Sequence, residues 1–334
     1  MTTARSVRHR QLSAFLSSRN DVELAELVDG ARSHSVGIGG GSAILDVDAT
    51  PVFVKRIPLT DRELTQRGST TNLFDLPMCC QYGIAGPSFN AWRELAANII
   101  VTDGVLTGAT QAFPMLHHWR VLPGRTPIAD EHLDIEAVVA AYGGNSAVRA
   151  RLEALASATS SLVLFCEYIP HSMPNWLREC PADKAPAVAQ QLSEIVRFLD
   201  RQSLLHMDGH FGNFRTDGRR IYLTDFGLAT SPRFDLTPVE RDFAERHTTH
   251  DADYAAMRLV NWLVTDVCGI PTPPTGGPVA RNEYVLQCAA GYIPDHVSPA
   301  VAALLTRHAP AAAKMNGFYW KLFGGDLYAE YPAD

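Results

Sequence analysis

The amino-acid sequence predicts an α+β protein of two lobes, an N-terminal antiparallel sheet with one main helix and a larger, mostly helical C-terminal lobe. Three observations carry this. Alternating apolar runs crowd the segment Val36 to Leu59, around a Gly-rich turn and a Thr-Pro break. Helical periodicity dominates after residue 170, as in Val188, Leu192, Ile195, Val196 and Leu199. Between them lies one strand-sized apolar run, SLVLFCEYI over 161–169, whose end near Glu167 reads as a hinge. The expected lobes are 1–168 and 169–334. With 334 residues and 46% hydrophobic content, the chain can bury a sizeable core.

Taken in order, residues 10–30 read as one amphipathic helix through Leu12, Phe15, Leu16, Leu24, Leu27 and Val28. Two or three strands fill Val36 to Leu59. Residues 60–88 form an extra loop. A helix is expected from Ser88 to about Val101, capped by Ser88 or Asn90, with Trp92, Leu95 and Ile99 on one face. Strands follow at 111–122 and 161–169, separated by a helical excursion through Arg149 to Ala158. A helix spans Pro186 to Leu205, and a hairpin runs from Asn213 to Asp225, turning at Thr216-Asp217-Gly218.

Composition narrows the function classes. A net charge of −7 without a clustered Lys/Arg face argues against a nucleic-acid partner. No apolar stretch approaches the roughly 18–20 residues of a membrane helix, so no membrane partner is expected. The N-terminus lacks the apolar core of a secretory signal, which makes the cytoplasm the default setting. The six cysteines (Cys79, Cys80, Cys166, Cys180, Cys268, Cys288) show no CxxC spacing and read as reduced thiols.

The segment richest in chemistry is His206-Met207-Asp208-Gly209-His210-Phe211-Gly212-Asn213, followed by the hairpin and then Thr224-Asp225-Phe226-Gly227. Asp208 and Asn213 flank a tight glycine-containing loop, and the hairpin can return Asp225 beside Asn213. Asn213 and Asp225 then make two oxygen ligands suited to a hard divalent cation, while Asp208 faces an acceptor. In this order the motifs resemble those of the protein-kinase-like superfamily. The HxDxHxGN pattern is most similar to the catalytic loop of aminoglycoside phosphotransferases and related small-molecule kinases, whereas the following DFG looks more like protein kinases.

The resemblance implies a bilobal protein-kinase-like fold, ATP as phosphate donor, Mg2+ as metal and a hydroxylated small molecule as acceptor. Asp208 would be the catalytic residue, with Asn213 and Asp225 on the metal. Phosphoryl transfer also needs a cation on the phosphates. Lys55, in a strand resembling the kinase third strand, is assigned that role, with Glu94 as its ion-pair partner and Glu63 left as an alternative. Gly39, Gly40, Gly41 and Ser42 occupy the place of the nucleotide-covering loop, although Ser42 departs from the protein-kinase GxGxxG pattern. Backbone groups of Glu167 and Ile169 would read the adenine edge, with Phe165 behind it.

Other polar clusters weigh less. His247, His250, Asp251 and Asp253 have metal-ligand spacing, but an aspartate bracing the catalytic loop, Asp251 or Asp253, fits the resemblance better. Met207, where many protein kinases have arginine, and the lack of an APE motif favour a small-molecule kinase over a Ser/Thr protein kinase, and the presence of Asp208, Asn213, Asp225 and Lys55 together argues against a nucleotide-binding pseudokinase.

Overall fold

A computed structural model describes residues 4–37, 40–125, 127–179, 182–275 and 277–332. The chain divides into two compact units, Met1–Ile169 with Thr224–Arg241, and Pro170–Leu223 with Asp242–Asp334. The fold is mixed α+β, with an antiparallel five-stranded sheet early in the chain and a predominantly helical C-terminal part.

The first unit begins with two helices where the sequence suggests one, α1 (Ala4–Ser17) and α2 (Asp21–Asp29). Asn20 makes the break. Its side chain accepts the Val22 and Glu23 N–H groups, and Glu23 reaches back to the Asn20 N–H at 2.9 Å, a reciprocal cap that starts a new helix. Strands β1 (Arg32–Gly37), β2 (Gly40–Val47), β3 (Thr50–Leu59), β4 (Leu116–Pro123) and β5 (Ser160–Glu167) form one sheet in the order β1-β2-β3-β5-β4. Helices α3 (Asp61–Thr65), α4 (Ala91–Leu106), α5 (Ile135–Ala141) and α6 (Ser146–Ala156) occupy the connections.

Side chains alternate across a strand, so β3 and β5 each serve two cores. Val52, Val54, Val163 and Phe165 pack with Leu12, Leu16, Leu24 and Val28 of α1 and α2. Ile57, Leu162, Leu164 and Cys166 pack on the other side with Trp92 and Leu95 of α4. The sheet is therefore covered on both faces rather than by the one expected helix, which is why β5 is apolar along almost its whole length. Helix α4 starts at Ala91, and of the two suggested caps it is Asn90 that accepts the Trp92 N–H, at 3.0 Å. Its buried stripe runs through Leu95, Asn98, Thr102 and Val105, leaving Ile99 at 41% exposure instead of on the core face.

The second unit holds β6 (His171–Ser172), α7 (Met173–Arg178), α8 (Ala185–Arg201), β7 (Phe214–Thr216) and β8 (Ile221–Leu223), the strands forming a small antiparallel sheet. Asp217 closes the β7–β8 hairpin by accepting the Arg219 and Arg220 N–H groups at 2.9 and 2.8 Å. Helix α9 (Pro238–Arg246) has its first residues in the first unit and its remainder in the second. Helices α10 (His250–Trp262), α11 (Val279–Ala289) and α12 (Pro299–Phe323) pack together, and α8 packs on both α10 and α12. Among the described residues no helix is long and apolar enough to cross a membrane. Cys79, Cys80, Cys166, Cys268 and Cys288 are free thiols, and Cys180 lies outside the described residues.

Candidate functional site

In the first unit, alternation along β3 turns Lys55 to the α4 face, opposite to Val54 and Arg56. Lys55 Nζ donates to Glu94 Oε1 and to Asp225 Oδ1, each at 2.7 Å. These partners stand 39 and 170 residues away in the chain. Lys55 and Glu94 are buried, while the Asp225 side chain keeps 40% exposure. Burial alone would lower the Lys55 pKa, but the charges of Asp225 and Glu94 outweigh it and hold the ammonium above its ordinary value. Burial pushes Glu94 up to about 7, against the opposing pull of Lys55 and with a further push from Asp225.

Asp225 sits in the left-handed backbone region at φ 63°, and its Oδ1 also accepts the Gly227 N–H at 3.2 Å. Phe226 is buried against Phe113, ring centroids 6.1 Å apart. Glu63, the alternative partner for Lys55, is engaged elsewhere. It is fully buried and accepts from Arg151 at 2.8 and 3.0 Å and from the Ala91 N–H, at the start of α4, at 2.8 Å. Burial would raise its pKa, but Arg151 and these N–H donors hold it below the usual value. Arg56 pairs instead with Asp29 at 2.9 Å.

The Gly-rich turn is partly accounted for by packing. Gly40 has φ 113°, and a Cβ there would lie 2.3 Å from the Arg56 carbonyl oxygen, so only glycine lets β2 approach β3 this closely. Gly41 pairs with Arg56 and Ser42 with Lys55 in the β2–β3 ladder, and the Ser42 hydroxyl meets that of Ser35 at 2.9 Å. Gly39 lies outside the described residues. At the end of β5, Phe165 and Ile169 are buried. The Glu167 N–H is spent on the Met115 carbonyl at 2.8 Å, and its carboxylate is gripped by Arg5, at 2.9 Å to Oε1 and 2.5 Å to Oε2.

In the second unit, Asp208 and Asn213 lie together on one short loop. Asn213 Nδ2 donates to the Asp208 carbonyl at 2.9 Å and to its Oδ2 at 3.0 Å, which turns the amide oxygen away from Asp208. The loop is bent at Met207, a buried non-glycine residue at φ 65°. Such a conformation costs about 1–2 kcal/mol and must be held from outside. Asp251 holds it. Its carboxylate accepts the His206 N–H at 2.6 Å and the Met207 N–H at 3.0 Å. Burial would raise the Asp251 pKa, but hydrogen bonding and charge from His250, with His206, depress it below the ordinary value. His250 is buried in turn between Asp251, 3.3 Å from Nδ1, and the Tyr319 hydroxyl of α12, 3.1 Å from Nε2.

His210 Nε2 stands 3.7 Å from Asp208 Oδ2, and its ring lies over Gly212, where any Cβ would come within 2.7 Å of it. Among the described residues no group of three or more His, Cys, Asp or Glu side chains could hold a metal, so the 247–253 cluster serves the loop and the helix packing instead. Asp253 does not touch the loop backbone in any described hydrogen bond; its Oδ2 accepts from Thr249 and Tyr331.

The long-range ion pairs that sequence reasoning missed in the first unit include Arg5 with Glu167, Arg151 with Glu63, and Arg93 with Glu240 at 2.5 Å. Burial lowers the Arg93 pKa, with Glu240 opposing. No family model and no curated protein matches the chain.

Proposed function

We propose that this chain is an ATP-dependent phosphotransferase with the bilobal protein-kinase-like fold, its nucleotide-binding lobe over 1–168 and its catalytic lobe over 169–334, working in the cytoplasm. Its acceptor is a hydroxyl of a small molecule, as in aminoglycoside phosphotransferase-type kinases. The observation that carries this reading is the buried Lys55, held at 2.7 Å by both Glu94 and Asp225, the three residues that the motifs single out independently. A buried ammonium braced by carboxylates is a fixed positive charge, suited to the phosphates that are not transferred.

The donor set fits a hard cation. Asp225 offers a partly exposed carboxylate and Asn213 an amide oxygen turned from Asp208. Oxygen donors of this kind suit Mg2+, and these two residues would be the ones to hold it. When bound, the ion would neutralise and orient the phosphates. Asp208 orients the acceptor hydroxyl and takes its proton at a carboxylate oxygen as the new O–P bond forms and the bond from the γ-phosphorus to the bridging oxygen breaks, with ADP leaving. Lys55 stays charged throughout.

The experiment is incubation with γ-labelled ATP, Mg2+, a panel of hydroxylated metabolites and a casein-like protein. Label is expected in a metabolite, with turnover at least about 100-fold lower in Asp208→Asn. Label in protein alone would replace this reading with a Ser/Thr protein kinase, and ATP turnover unchanged in Asp208→Asn would replace it with a non-catalytic nucleotide binder.

A further inference from the structure

We propose that Arg5, in the first turn of α1, is a positioning residue for the base end of the nucleotide site, so that the N-terminal helix is part of the nucleotide-binding machinery; this rests on the phosphotransferase reading above. The first turn of a helix is a poor place for an arginine, because the helix dipole is positive there and α1 has no acidic residue in that turn to offset it. Arg5 is nevertheless ordered by tertiary bonds from three of its nitrogens. Nε donates to Glu167 Oε1 at 2.9 Å and Oε2 at 3.2 Å, and Nη2 to Glu167 Oε2 at 2.5 Å. Nη1 reaches the Gln111 carbonyl at 3.2 Å and its Oε1 at 2.9 Å, and Nη2 the Phe113 carbonyl at 2.8 Å.

The geometry explains why a residue so far back in sequence is used. Glu167 is the last residue of β5, where a strand would otherwise fray as the chain leaves the sheet. Alternation along β5 turns its side chain to the face that α1 covers, with Val163 and Phe165. The planar guanidinium fork meets both carboxylate oxygens while bonding the backbone of 111 and 113. One side chain thus joins the end of β5 to the segment leading into β4. Phe113, whose carbonyl Arg5 holds, packs against Phe226 beside Asp225, so the same clamp reaches the segment that carries the metal ligand. Leu12 and Leu16 anchor α1 in the sheet core, and His9 Nδ1 lies 3.0 Å from His117 Nδ1, so α1 stays attached when Arg5 is changed.

The test is calorimetric binding of two probes to the full chain with Mg2+, a non-hydrolysable ATP analogue and inorganic tripolyphosphate, which lacks the base. For Arg5→Ala the expected result is affinity for the ATP analogue weakened about tenfold, equivalent to about 1.4 kcal/mol, with tripolyphosphate affinity unchanged. Arg5→Lys keeps the charge but loses the fork, and is expected to recover only part of the loss. Glu167→Gln, in which the partner is changed instead, should reproduce the Arg5→Ala pattern if either Arg5 variant folds poorly. Equal affinity of wild type and Arg5→Ala for the ATP analogue overturns the proposal, and so does a parallel loss of both probes. Wild-type protein that binds neither probe overturns the phosphotransferase reading itself, and this proposal with it.

Discussion

Replacing Asp251 with alanine should release the loop that carries Asp208 without unfolding the helices around it. Asp251 accepts two backbone N–H groups, His206 at 2.6 Å and Met207 at 3.0 Å, and its side chain keeps only 10% exposure. Hydrogen bonds to a charged group are worth about 1.5–3 kcal/mol each. Taking the lower end for both, the loop loses about 3 kcal/mol, while Met207 keeps the cost of its φ of 65°. Three kcal/mol corresponds to roughly 100-fold more frequent local opening. Amide hydrogen exchange resolves this better than a melting curve, because it reads opening segment by segment and does not require two-state unfolding of a two-unit chain. The His206 and Met207 amides should exchange roughly 100-fold faster in Asp251→Ala, with α10 and α12 little affected. Unchanged protection at these two amides would refute the reasoning. Because the folded pKa of Asp251 is depressed below 3.8, the wild-type brace is present above that pH and is lost only as the pH falls through the depressed value.

The other predictions concern the first unit. Glu94 has a folded pKa raised to about 7 from 4.5, so the stability that its protonation contributes is fully present below 4.5 and is lost as the pH rises through about 7. Denaturant titrations across pH 4–8 should show this loss in the wild type and a flatter profile in Glu94→Gln. Arg151→Met should destabilise the first unit by about 3–5 kcal/mol, because it leaves the Glu63 carboxylate buried without its cation. Adding Glu63→Leu should recover part of that, and a double-mutant cycle on chemical denaturation would measure how much.

Much of the scaffold was legible locally. Alternation through Val52, Val54, Lys55 and Ile57 sorts β3 into two faces before any coordinates are known, and Asn90 and the Thr216-Asp217-Gly218 turn mark ends that the structure keeps. The Asp208–Asn213 pairing spans five residues, close enough for a tight loop to dictate it. The choice between Asp251 and Asp253 was not local, since each stands at the start of α10 and only packing decides which meets the 206–207 backbone. The two helices in place of one over 10–30 had a sequence signal that periodicity overrode, the Asn20–Glu23 capping pair.

The chain's own order of residues thus determined its strands, most of its helices and the short loop holding Asp208 beside Asn213, because these depend on side-chain period and turn chemistry within a few residues. Tertiary structure decided between Glu94 and Glu63 as the partner of Lys55, and it alone added Asp225 as a second partner, gave Glu63 to Arg151 and closed Arg5 on Glu167 across 162 residues. A buried charge must find an opposite charge to offset its lost hydration, and which one it finds depends on which elements pack together, something no local pattern encodes.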